Sequence, residues 1–210
     1  IIGEKKDEKI ILKEINIKKN NDIISLNEIN FSNNFQVTNF KKINLKYFDT
    51  NKNKNDISIV QNTKNNFLIE GKSFNLNKII DQILFKSDDE AKIFDDKERI
   101  FKINFKKNYL DSDHHILNLQ GIIKIKGNKV YDMSLKSSFP NKDILSITVK
   151  TKDDQKVTTF YSGQAKPFVK KYKFVKGFEG GKIDFYSVKK NKISKSQLKI
   201  FEFSLKELPA

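Results

Sequence analysis

The residues best equipped for chemistry lie in one short stretch, Asp111-Ser-Asp-His114-His115. Carboxylates and imidazoles are metal-ligand types. His114 and His115 are the chain's only histidines. Adjacent residues of a strand point to opposite faces, so the two do not easily share an ion. Asp111 and Asp113 remain as partners, and the stretch reads as an exposed turn before it reads as a metal site. A second acidic group, Asp88, Asp89, Glu90, Asp95 and Asp96, lacks the spacing and the glycine of a calcium loop and reads as a solvated connection. Gly177-Phe-Glu-Gly-Gly181 has the glycine content of a phosphate cradle, but a strand pattern comes after it, whereas such loops open a helix. Tyr161-Ser-Gly-Gln164 lacks the glycine pattern of a nucleophile elbow. The absence of cysteine excludes a disulfide framework and a thiolate metal site. The expectation is a non-enzymatic chain with no catalytic, cofactor-binding or metal-binding residue.

Charge offers a second route to function. The net charge is +15, from 41 basic and 26 acidic residues. A strongly basic chain suits nucleic acid, an anionic surface or an acidic partner. Yet Arg99 is the only arginine, and the planar guanidinium is what phosphate and base recognition favour. Lys, Asn and Ile share A/T-rich codons, so the charge also fits a biased genome. Phenylalanine alternates with lysine or aliphatics, as in FKINF, rather than with arginine as in a base-stacking platform. Nucleic acid is therefore not expected as a partner.

The elements that must position these residues are mostly strands. EKIILKEINIKK, DIISLNEINF and FQVTNFKKINLKYF alternate with period two, with a parity break at Phe40-Lys41-Lys42 that marks a bulge. ISIV, NFLIEGKSF, RIFKINFKKNYL, HHILNLQGIIKIKGNKVYDMSLKSSF and DILSITVKTKDDQKVTTFYS continue the pattern, with a hairpin turn at Lys126–Val130. The period becomes helical over 75–85, where Ser73 or Asn75 would cap the start, and again over 164–173, where Ala165, Phe168, Val169 and Tyr172 share a face and Pro167 suits the first turn. Two strands, with Ile183 and Phe185 on one face of the first, close the chain. The expected fold is mainly β: an antiparallel curved sheet or β-groove with two short α-helices packed against it, apolar on one face and lysine-rich on the other. Residues 1–72 form an N-terminal strand segment and 73–210 a sheet segment with the helices, continuous as one sheet. No apolar run reaches the ~20 residues of a membrane-spanning helix. The opening IIGEKKDEK has no signal-peptide layout and KELPA stops just after a proline, so the chain reads as a piece of a longer protein.

Two stretches carry a family resemblance. IEGKSFNLNKIIDQIL, residues 69–84, resembles the G-K-S-F/L-D-L element that ends a strand and opens a helix in AsmA-like envelope proteins, the group with the large YhdP and TamB types. From Ile147 to Pro209, a strand pair, a short helix, a G-G strand and a final strand ending in Leu-Pro keep the same group's order. Gly180, Gly181, Ile183, Phe203, Leu208 and Pro209 stand where that pattern wants them. Asn75 and Glu202 replace the usual aspartates. The resemblance covers about residues 65–210 and implies a β-groove in the periplasm, anchored to the bacterial inner membrane by other parts of the parent chain. It also implies phospholipid acyl chains as partners and a contribution to phospholipid transport between inner and outer membrane and to envelope integrity. The alternatives are a basic β-domain that binds nucleic acid or an anionic surface, and a structural module without a ligand.

Overall fold

The computed structural model describes residues 2–6, 9–77, 79, 94–169, 177–191 and 193–206. In chain order the strands are β1 (Ile2–Lys6), β2 (Lys9–Lys19), β3 (Asp22–Phe31), β4 (Val37–Asn39), β5 (Lys42–Phe48), β6 (Lys54–Thr63) and β7 (Asn66–Asn75). After these come β8 (Glu98–Tyr109), β9 (His115–Lys126), β10 (Lys129–Ser138), β11 (Ile144–Lys152), β12 (Gln155–Ser162), β13 (Phe178–Lys190) and β14 (Ile193–Leu205). A one-turn helix, α1 (Lys166–Val169), lies between β12 and β13. All strands belong to one open sheet. From β1 to β14 each strand pairs with the next in sequence, except that β3 pairs with β5 as well as with the short β4, which lies off the path. Residues 72 and 73 fall inside β7, so the sheet runs through that point without a break.

Two expectations need correction. The sheet has fewer helices than expected: among the described residues only α1 spans a turn, from Lys166 rather than from 164. At the first expected helix, Asn75 still belongs to β7, and Asn77 and Ile79 are helical. Asn75 Oδ1 accepts a hydrogen bond from the Asn77 amide at 3.0 Å, as a cap does. Residues 78 and 80–85, and residues 170–173 of the second expected helix, lie outside the described residues. The sheet is also not uniformly antiparallel, because β7 and β8 pair in parallel from Asn66↔Ile100 to Asn75↔Tyr109. Parallel neighbours require the chain to return to the starting end through a long connection, and residues 76–97 supply it.

Turn chemistry explains the hairpins. Asp153 and Asp154 both take positive φ (50° and 59°) in the two-residue β11/β12 turn, the geometry that matches strand twist. In the β9/β10 turn Gly127 alone takes it (58°). The parity break at Phe40-Lys41 separates β4 from β5: Phe40 is buried and stacks on Phe67 at 4.6 Å. The glycine pair does not open a strand but lies within β13. Gly180 and Gly181 take φ of 67° and 79° opposite Glu202, itself at 56°. A Cβ on Gly181 would stand 2.9 Å from Phe203 Cβ and 3.0 Å from the Phe178 ring, so the site demands glycine twice over.

Candidate functional site

Cross-strand register turns the period-two pattern into a surface. One row of paired residues crosses every strand from β2 to β14 on the path: Ile15, Leu26, Ile43, Ile59, Ile69, Ile103, Gly121, Leu135, Ile147, Phe160, Phe185 and Leu198. Each member faces the next across the ladder, and none is polar. The neighbouring row on the opposite face reads Asn16, Ser25, Asn44, Ser58, Glu70, Asn104, Gln120, Lys136, Ser146, Tyr161, Asp184 and Lys199, without an aliphatic side chain. One row of this face is thus apolar from β2 to β14, while the next row on the same face passes from Met133 and Val149 to the polar Thr158, Ser187 and Ser196. At ~4.8 Å per strand the apolar row runs about 50 Å. Along one strand the face is also long: Phe101, Ile103 and Phe105 of β8 are all buried on it.

In the N-terminal half this face curls into a hollow. β4 pairs with β3 through Asn30↔Asn39 and Phe31↔Val37. Val37 also bridges Phe94, just ahead of β8. Strands β3, β5, β6, β7 and β8 are therefore joined back to β3 at one end. The space inside is a cavity of about 420 Å³ lined only by apolar side chains, with Ile29, Ile43, Ile59 and Ile69 on one side and Phe94, Phe101, Ile123 and Ile125 on the other. Such a hollow resists water, because water needs polar partners to enter.

The residue that holds the ring shut is Arg99. Its side chain is 2% exposed and donates to the carbonyls of Val37 (3.2 Å), Thr38 (2.9 Å), Asp95 (3.2 Å) and Lys97 (3.3 Å), and to the Asp95 carboxylate. The guanidinium also stands 4.9 Å from the centre of the Phe94 ring. The lone arginine is thus an internal clamp between β4 and the start of β8. Its parity with Phe101, Ile103 and Phe105 was the available clue, since residues two apart share a face. Desolvation pushes the Asp95 carboxyl up, but hydrogen bonds and charges from Lys97 and Arg99 outweigh it and hold the group below the usual carboxylate range.

At the C-terminal end of the face, Phe168 packs edge-on against Phe160 at 4.8 Å, and Ala165 donates its amide to the Gly181 carbonyl at 2.7 Å. This closes α1 over β12 and β13, with Phe168, Val169, Ile183 and Phe185 all buried. One polar group lies out of place. Asn108 of β8, in register with Phe74 and Ile116, is fully buried, and neither atom of its amide has a partner.

The residues singled out for chemistry fall elsewhere. Asp111, Asp113 and His114 come together in the β8/β9 turn, with ligand-type atoms within 4.8 Å of one another. Asp111 Oδ1 accepts the backbone amides of Asp113 (2.8 Å) and His114 (2.6 Å), and Oδ2 lies 2.8 Å from His114 Nδ1. The carboxylate therefore shapes the turn. His115 joins β9 opposite Tyr109. Desolvation, Lys107 and His114 lower its pKa. Ser162, fully buried, donates its hydroxyl to the Gln164 carbonyl at 2.7 Å and so closes a turn of its own. Asp88, Asp89 and Glu90 lie outside the described residues. No helix among the described residues is long and apolar enough to cross a membrane. Comparison of the chain with protein-family models, curated proteins and solved structures found no match.

Proposed function

We propose that this chain is a non-catalytic segment of a periplasmic, inner-membrane-anchored envelope protein and that its apolar face shelters phospholipid acyl chains on their way between the inner and outer membranes. The observation that carries this reading is the unbroken apolar row across β2–β14 on an open sheet. A packed core needs apolar contacts but not an apolar row that runs on to an open margin, where Leu198 is 53% exposed. A lipid tail occupies about half of the ~30 Å hydrocarbon core of a bilayer, so one tail fits along the face. Each Å² of tail kept from water stabilises the complex by ~25 cal/mol. The nucleic-acid reading loses ground because the one arginine is spent inside the fold.

The test is site-specific photo-cross-linking. Benzoylphenylalanine at Ile69 or Ile147 should capture a labelled phospholipid, and the same group at Glu70 or Ser146, on the other face, should not. Equal capture from both faces, or none from either, would overturn the proposal.

A further inference from the structure

The hairpins of the sheet do not distribute charge evenly between its two ends. The parallel β7/β8 pair sets the phase, so the β9/β10, β11/β12 and β13/β14 turns all project from the end at which β8 begins. Lys126 and Lys129 flank the first turn, Lys150 and Lys152 approach the second, and Lys189 and Lys190 approach the third. Among the described residues the acids there are few. Asp153 and Asp154 form the second turn, Asp95 is held by Arg99 and Lys97, and Glu98 is engaged by Tyr131, whose own pKa burial and that contact push up to about 12. Asp96 lies beside Gly127, and Asp132, one step inward, bridges Lys150 at 2.8 Å. At the opposite end the turns mix signs, with Asp49, Asp111 and Asp143 among them.

The same end carries large apolar side chains in water. Phe35, in the β3/β4 turn, is 73% exposed, and Ile193, at the start of β14, is 70% exposed. The Phe35 turn is tied to the first lysine turn through Val37, Phe94 and the 3.2 Å bond from the Phe94 amide to Asn128 Oδ1. Lysines around protruding apolar tips suit a surface that is anionic in its headgroups and apolar just beneath them. A nucleic acid would use the charge and stack a base on Phe35, but it would leave the aliphatic Ile193 in water, and the chain has no second arginine to offer it.

From this we infer that the lysine-rich hairpin end docks on an anionic phospholipid bilayer and presents the apolar face edge-on to the membrane. The inference adds a loading surface to the function proposed above. Docking itself stands without that reading, and only the later passage of lipid onto the apolar face rests on it.

The experiment is sedimentation with vesicles of phosphatidylcholine, with and without phosphatidylglycerol. The parent chain binds only the anionic vesicles, and added salt releases it. Each lysine at such a surface changes partitioning about fivefold, so K126Q/K129Q/K152Q/K190Q lowers binding by roughly two orders of magnitude or more. K18Q/K19Q/K52Q/K142Q, at the opposite end, leaves it unchanged. Phe35→Ser with Ile193→Ser weakens binding without altering its salt dependence. Melting curves that match the parent's show that each variant is folded. Absence of binding to anionic vesicles, equal loss in both lysine variants, or displacement by an oligonucleotide at lower concentration than by free anionic lipid overturns the docking. The tip variant still cross-links lipid supplied in detergent micelles through Ile69, so the docking and the acyl-chain reading fail separately.

Discussion

Arg99→Met should destabilise the chain by about 3–5 kcal/mol, the range for breaking a buried ion pair from one side. The clamp makes that range apply. Arg99 is 2% exposed, and its partner Asp95 has only 16% of its side chain in water. Without the guanidinium, Asp95 keeps Lys97 at 3.0 Å and Val37 keeps the Asp95 amide at 3.3 Å, but both β4 carbonyls lose the Arg99 donor, and Thr38 with it the side-chain tie to β8. Each buried acceptor left unpaired costs about 1–3 kcal/mol. Methionine preserves the packing of the aliphatic stem, so the loss reports on polar contacts rather than on a cavity. At ~2–4 °C per kcal/mol for a chain of this size, the melting temperature should fall by about 6–20 °C. Arg99→Lys should recover less than half of it, because one ammonium cannot reach both β4 carbonyls and the carboxylate in their fixed geometry. The double variant with Asp95→Asn should lose less than the sum of the singles, since the second change removes the charge that the first had stranded. An Arg99→Met chain that melts within about 2 °C of the parent would refute the clamp.

The packing sets four further outcomes. Phe168→Ala should cost about 3–5 kcal/mol in urea denaturation, as a buried aromatic, and a near-neutral result would make α1 a lid rather than core. Gly121→Val should cost about 3 kcal/mol or more, because its Cβ would stand 1.9 Å from the Ser134 carbonyl oxygen and force β9 from β10. Asn108→Leu should raise stability by about 1–2 kcal/mol, since it removes a buried amide without partners, and a loss of stability would mean that the amide is satisfied in solution. Asp95 titrates below the usual carboxylate range in the fold, so its contribution is complete above the unfolded value near 4 and is lost as pH falls through the folded one; acid melts should show Asp95→Asn losing less stability than the parent below about pH 4.

Much of this architecture was legible because its signal is local. The alternation in RIFKINF sets Arg99, Phe101, Ile103 and Phe105 on one face whatever the strand pairs with, and Asp153-Asp154 sits at a turn for its own backbone reasons. What stayed hidden depends on partners distant in sequence. The parallel pairing of β7 with β8 is a choice of register across a long connection, and no residue in either strand announces it. The clamp links Arg99 to Val37 and Thr38, some sixty residues away. The place of the glycine pair inside β13, and not ahead of the strand pattern that follows it, was hidden for a related reason. A Gly-Gly step is as compatible with a strand entry as with a bulge, and only Phe203, Phe178 and Ala165 around Gly181 distinguish the two.

The apolar row exists only because the register at each junction, bulges included, keeps apolar residues in line. In a ladder, a slip of one residue sends all later side chains to the other face. A two-residue turn such as Asp153-Asp154 fixes the register of its own strands, and next to the β9/β10 turn a register shift between Val130 and Asp132 brings the rows back into line. The crossover from β7 to β8 has no such device, yet Ile69 meets Ile103 and Phe67 meets Phe101, apolar on apolar. Something must therefore fix β8 against its neighbours at its first turn, and the Arg99 clamp stands at that point. Its bonds to β4 seat residues 95–99, and Phe94 reaches from there to the β9/β10 turn. The only arginine in the chain thus lies where the phase of the face is decided, and the row from Ile103 to Leu198 continues the row from Ile15 to Ile69 because that phase is held.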